Sequence, residues 1–264
     1  MPKHSAARHI CFLLAAAIAL AAQTAPPPRP TPVISSGAPS IQAPSSAYKF
    51  PNGQTFTYAV EWRLFDAGLA TIRMEAAGRE QRVVATADAR GVVGLLYHVH
   101  DRFESFFDPV TDCSRSIEKK TEEGFRRLET NIVFDGPRRK SVLREKNLRS
   151  DQSKSVENDI PGCVTDVTSA IFYIASQPLV PGATLLFPLN DGGKTVDVKA
   201  TAEAREEVRV PAGTHRTVRV QAVSATQTAK SKGQVWIWYT DDERRMPVQM
   251  RARLFWGTLT FRLK

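Results

Sequence analysis

Few side chains in this sequence have the type and spacing to do chemistry. His98 and His100 stand two apart, and on a strand that spacing turns two imidazoles to one face, where they could hold a zinc ion. Glu104 shares their face and His215 could approach from elsewhere in the chain, but no third ligand sits beside them. The expected reading is a polar strand face with no metal. Asp241, Asp242 and Glu243, followed by Arg244 and Arg245, offer carboxylates for calcium or for acid–base work. They fall between two apolar segments where the chain must turn, and Asp is a normal turn residue whose carboxylate accepts backbone N–H bonds, so a structural turn is expected. No Gly-x-Ser-x-Gly elbow, His-Glu-x-x-His helix or phosphate-cradling glycine loop occurs. The sequence therefore points to no catalytic residue, no cofactor and a non-enzymatic protein.

Two further groups matter. Cys113 and Cys163 form an even pair that, in an oxidising compartment, reads first as a disulfide. The rival reading, one reactive thiol, lacks a basic neighbour in sequence to activate it. The aromatic residues Trp62, Trp236, Trp238 and Phe255 lie in strand-like segments. In Trp236-Ile237-Trp238-Tyr239 both faces are apolar, whereas a sheet with one wet face alternates cleanly. Either a second layer covers the far face, or these residues line a concave surface that holds a hydrophobic ligand.

The compartment is argued from the leader. Lys3 and Arg8 precede an apolar run from Ile10 to Ala22, and Ala19-Leu20-Ala21 offers the small-x-small pattern at which signal peptidase cuts. A run of about 13 residues is shorter than the 18 or more of a spanning helix. A cleaved signal peptide over 1–21 is expected, with the periplasm as destination. Residues 22–47 carry Pro26, Pro27, Pro28, Pro30, Pro32, Pro39 and Pro44 among Ser, Ala and Gly, a composition that stays extended as a tether. The folded part is expected over 48–264, as one domain. Without Lys3 and Arg8 the formal charge of +9 falls to +7. Its densest basic stretch, Arg138-Arg139-Lys140 with Arg144, Lys146, Arg149 and Lys154, reads as a solvated strand edge or as an attraction to anionic headgroups. Nucleic acid is not expected, because no recognition helix or base-stacking motif accompanies the charge.

The elements that must position these residues are mostly strands. Phe56, Tyr58, Val60, Trp62 and Leu64 share one face, the alternation of a half-buried strand, and Asp66-Ala67-Gly68 supplies turn chemistry before Ala70, Ile72 and Met74 continue it. Similar alternation recurs to Leu148 and again from Thr184 to Leu263, with regularly spaced turns. The Val92-Val93-Gly94-Leu95-Leu96 run breaks it and reads as a helical turn or a buried crossing. One main helix is expected where Val164, Val167, Ile171 and Ile174 fall at helical spacing, with Thr165 or Asp166 as cap and Gln177-Pro178 as stop. No repeat period recurs.

Tyr58-x-Val60-x-Trp62 with Ala67-Gly68-x-Ala70, Val210-Pro211-Ala212-Gly213-Thr214, Trp238-Tyr239-Thr240-Asp241-Asp242-x-Arg244-x-Met246-Pro247-Val248 and Gly257-Thr258 together resemble exported bacterial proteins of the domain-of-unknown-function family 3108, over about Tyr48 to Lys264. The resemblance implies a mainly β fold, a large antiparallel meander forming an open half-barrel of the lipoprotein-carrier kind, with one main helix packed on it. It assigns no catalytic residue. Two functions follow as expectations: an exported carrier whose half-barrel shelters a lipid or lipoprotein acyl chain, or a structural or assembly protein of the envelope with a filled core and a protein partner. A glycan-acting enzyme ranks third.

Overall fold

The computed structural model describes residues 37–63, 65–226, 233–254 and 257–264. The expected signal peptide, the first part of the expected tether and Phe255 lie outside the described residues. Apolar and polar residues alternate through most of the described chain, and it folds as strands: β1 (Thr55–Trp62), β2 (Phe65–Ala77), β3 (Glu80–Ala89), β4 (His100–Phe107), β5 (Ser114–Glu123), β6 (Arg126–Asp135), β7 (Lys140–Asn147), β8 (Ser153–Asp159), β9 (Thr184–Asn190), β10 (Thr195–Val210), β11 (Gly213–Ser224), β12 (Gln234–Thr240), β13 (Pro247–Leu254) and β14 (Gly257–Leu263). Two helices interrupt them, α1 (Gly91–Leu96) and α2 (Ser169–Ser176).

All fourteen strands join one antiparallel sheet in the order β8-β7-β6-β5-β4-β3-β2-β1-β14-β13-β12-β11-β10-β9. Nearly every strand lies beside its sequence neighbour, as short hairpin turns require. The exception is the step from β8 to β9, which lie at opposite edges; β14, beside β13, also returns to pair β1 and joins the two halves, with Tyr58 opposite Leu263 and Trp62 opposite Leu259. The sheet stays open between β8 and β9 but curls until its ends approach. Asn158 Nδ2 donates to Gly192 O at 3.4 Å, and a Cβ on Gly192 would lie 2.4 Å from Ile132 Cδ1. Only glycine fits where that turn crosses the inner face.

Helix α2 plugs this concave face. Phe172, Tyr173 and Ile174 are buried, Tyr173 meets Phe187 edge-on at 4.8 Å, and the Tyr239 hydroxyl donates to Ile171 O at 2.7 Å. The helix starts later than the Val164 and Val167 spacing predicts, because Val164 and Thr165 bond to the sheet and Val167 lies in the turn that follows. Ser114 N–H donates to Val164 O at 2.8 Å, and Thr165 bridges Leu189. Asp166 anchors the start: its Oδ1 accepts the N–H groups of Thr168 and Ser169, and its Oδ2 accepts the hydroxyls of Ser105 and Ser114. One buried carboxylate thereby satisfies helix-entry donors and ties α2 to β4 and β5.

Two local expectations are corrected and a third resolves to one of its two readings. The packed body begins upstream of Tyr48: Ser40 N–H donates to Leu186 O, Ser45 N–H donates to Ser176 O, and the Gln177 amide donates to Gln42 O and Ala43 O. The end of α2 leaves carbonyls open; Ser45 of the nominal tether donates to the Ser176 carbonyl and the Arg245 guanidinium to that of Ala175. Asp66-Ala67-Gly68 lies inside β2, and the turn is at Arg63. Gly68 is there because a Cβ would lie 2.0 Å from Asp88 O on β3. The Val92–Leu96 run is helical but exposed, with Val92, Leu95 and Leu96 mostly in water.

Candidate functional site

Side chains on paired antiparallel strands share a face where their residues stand opposite one another. One such row crosses the inner face: Trp62 opposite Leu259, Leu259 opposite Ala252, Ala252 opposite Val235, Val235 opposite Ala222. The next row towards α2 runs through Val60, Phe261, Met250, Ile237, Val220 and Ala202, and much of it is buried in the clusters around the helix. The first row is not. Its members are only partly covered, and Val235 is 37% exposed. Ala252 beside Val235 and Ala222 beyond it are small, and the row forms an apolar shelf above the plug.

The opposite wall of the concave face carries one largely polar row beside its buried apolar cluster. Ala85, Phe103, Lys119, Thr130, Glu145 and Lys154 stand opposite one another in succession. Lys119 pairs with Asp191 and lies 5.9 Å from the centre of the Phe103 ring. Lys154 meets Glu145 at 2.8 Å, and that hydrogen bond leads the effects that hold the Glu145 carboxyl below its usual range. The concave face thus has apolar side chains across β11–β14, and on β5–β8 a row of paired charges beside the buried Ile117, Ile132 and Leu143.

The three described aromatic residues, Trp62, Trp236 and Trp238, do not form one surface. Trp62 belongs to the shelf. Trp236 and Trp238 point to the outer face, opposite Gln221 and Arg219. Trp238 is buried there: its indole N–H donates to Glu206 Oε1 at 2.5 Å, Arg251 lies over its ring at 5.5 Å, and Val208 and Val210 join the same cluster. Arg253 lies over Trp236 at 5.2 Å. A second layer therefore covers these two. The β10–β11 turn folds back over the outer face, where Ala212 N–H donates to Leu263 O at 2.9 Å. Sequence reasoning missed Leu259, Val235 and Phe103, whose signal is strand parity counted from Trp62.

The other candidates resolve into structure. Cys113 and Cys163 are bonded, with Cα atoms 5.2 Å apart. His100 Nδ1 pairs with Asp88 at 2.6 Å while His98 faces Glu122 at 3.9 Å, so the two imidazoles serve different acids. No cluster of three metal-ligating side chains occurs among the described residues. Asp242 Oδ1 accepts from Thr240 Oγ1 and from the N–H groups of Arg244 and Arg245. Burial pushes its carboxyl up, and these bonds outweigh it, holding it below its usual range. That is a capped turn. The basic stretch is divided among both ends and both faces of β7 and β8, and Lys140, Lys146 and Lys154 each meet an acid. A groove of about 620 Å³ along β5–β8 is lined by polar and charged residues of both signs, among them Glu118, Lys119, Lys120, Glu129, Glu145 and Lys154.

Among solved structures, a β-barrel-like protein of a domain of unknown function (DUF1849) from Brucella abortus is similar in fold, with a TM-score of 0.53 at 9% identity over 80% of this chain and 95% of the other. A candidate exported protein from Bacteroides fragilis (TM-score 0.33, 9% identity, 82% and 98% covered) and a candidate lipoprotein from Parabacteroides distasonis (0.30, 10%, 86% and 98%) align less well. No curated protein matches the chain significantly. The family described as protein of unknown function (DUF3108) matches residues 57–264, which span β1 to β14 and with them the whole concave face. The chain belongs to the DUF3108 family.

Proposed function

We propose that this chain is an exported, non-enzymatic envelope protein that holds the apolar part of a lipid-class amphiphile on the concave face of its open sheet. The observation that carries the reading is the partly exposed row Trp62, Leu259, Ala252, Val235 and Ala222 above the α2 plug. Leaving such a row in contact with water forgoes about 25 cal/mol for each Å² of apolar surface, which an acyl chain would recover. Lys119 and Lys154 on the opposite wall, paired with Asp191 and Glu145, offer a charged surface to the polar end. Export rests on the basic and apolar leader and on the bonded cysteines, which persist in an oxidising compartment.

The test is titration of the whole protein with a fluorescent fatty acid. Val235→Asp and Leu259→Asp should each weaken uptake about tenfold. Trp238→Ala, on the outer face, should lower stability by about 3 kcal/mol and leave uptake unchanged. Uptake that is absent, or that falls with Trp238→Ala and not with Val235→Asp, overturns the reading.

The second reading, an assembly protein with a protein partner, is favoured by how fully α2, Tyr48 and Phe50 already occupy the lower half of the concave face. It requires no uptake of the probe by the wild type.

A further inference from the structure

In an antiparallel meander alternate turns fall at the same end of the sheet. The β1–β2, β3–β4, β5–β6 and β7–β8 connections therefore share one rim, the rim nearest the apolar shelf, with the β13–β14 turn beside them. Large apolar side chains concentrate there. Phe65, Val92, Leu95, Leu96, Phe125 and Leu148 are all exposed, Leu95 at 88%, Leu96 at 81% and Phe125 at 85%. The opposite rim carries Val110 and Val180. Single exposed apolar residues are unremarkable, but their collection on one rim marks a contact surface.

The charges on the same rim select the partner. Arg63, Arg90, Arg126 and Arg149 lie at these turns and make no ion pair among the described residues; of the nearby acids, Asp88, Glu122 and Asp151 are each paired with a base, and Asp66 and Glu123 leave the arginines in excess. Arg149 lies over the Phe125 ring at 5.5 Å and Arg63 over the Trp62 ring at 5.4 Å, so apolar tips and cations alternate along the edge.

We infer that this rim docks on a bilayer surface containing anionic lipid, with the α1 leucines and Phe125 entering the headgroup boundary and the arginines held at phosphate level. Apolar tips on separate turns, divided by cations, suit a fluid interface that accepts individual wedges. A protein interface has a continuous packed core depleted of charge. The orientation places the open end of the shelf against the membrane. The inference stands whatever fills the concave face.

The test uses the protein recovered from the compartment that holds it, floated with vesicles of phosphatidylethanolamine and phosphatidylglycerol or of phosphatidylcholine alone. The wild type should partition to the anionic vesicles. The L95D/L96D double variant should lose about tenfold or more of that binding, and its melting temperature should not change, since both sites are in water. Val110→Asp, at the other rim, should bind as the wild type does. Replacing Arg63, Arg90, Arg126 and Arg149 by Ser should remove the preference for anionic vesicles, about fivefold per arginine. Leu95→Trp should gain quenching by lipids brominated on the acyl chain, a signal that attachment through any other segment would not give. Flotation without that quenching, binding unchanged in L95D/L96D, an anionic preference retained without the arginines, or no wild-type flotation overturns the inference. Fatty-acid uptake, read separately, is untouched by any of these results.

Discussion

Asp112 sits in the β4–β5 connection with a left-handed backbone, φ 57°, and is almost fully buried. One carboxylate oxygen accepts the Ser176 hydroxyl at 2.8 Å, while the other has no partner. Burial, helped by the charge of Asp108 and opposed by the Ser176 bond, pushes its carboxyl from 3.8 up to about 7. A carboxyl raised on folding stabilises the fold in its protonated form. That stability is complete below pH 3.8 and is lost as the pH climbs through about 7, at most on the order of 4 kcal/mol. Asp112→Asn removes the titration and suits the left-handed backbone, which Asn tolerates. It should raise the melting temperature at pH 8 and change it far less at pH 5. An equal effect at both values would show that the group does not titrate in this window. Individual roles were only partly legible in the sequence. The capped turn at Asp242 and the bond between Cys113 and Cys163 could be read from type and spacing. Asp112 could not, because nothing local signals burial in a loop.

At the scale of elements, the helix and its anchors hold the curl of the sheet. The Cys113–Cys163 bond closes a separation of 50 residues, and together with Asp166 it fixes the entrance of α2 to the start of β5. Replacing both cysteines by Ser should lower stability by about 4 kcal/mol on the loop-entropy account, read as a denaturant midpoint, with amide exchange rising first between β8 and α2. A double variant that melts with the wild type would show that the Asp166 hydrogen bonds carry the junction alone. Most strands were legible because one face is wet and the alternation is clean, as from Phe56 to Trp62 or from Leu128 to Phe134. The faces of Trp236 and Trp238 were not, because apolar residues on both sides of β12 erase the parity signal. A bulge between Trp238 and Tyr239 and the folded-back β10–β11 turn then supply the second layer. The late start of α2 was hidden too: Val164 and Val167 have helical spacing, but pairing with β5 and β9 overrides it.

For the whole molecule, the open antiparallel half-barrel with a helix on its concave side follows the pattern that the family resemblance implied, and fourteen strands in meander order bear it out. Its openness has a physical cause. The chain between β8 and α2 lies along β9 as a single bridge at Thr165 and not as a full strand, so the edges meet without closing. The plug then fills the lower half of the concavity and leaves the shelf at the rim where the exposed apolar residues gather with arginines that make no ion pair among the described residues. Curvature of this kind cannot be read from alternation, which gives the face of each residue and not the bend of the sheet. The central claim is that an amphiphile occupies the shelf. Native mass spectrometry of the protein taken from its own envelope, with lipid extraction of the same sample, tests it most directly. The account predicts an adduct with the mass of a lipid, released on denaturation and lost in Val235→Asp. A wild-type spectrum of bare protein, with no lipid in the extract, would contradict it.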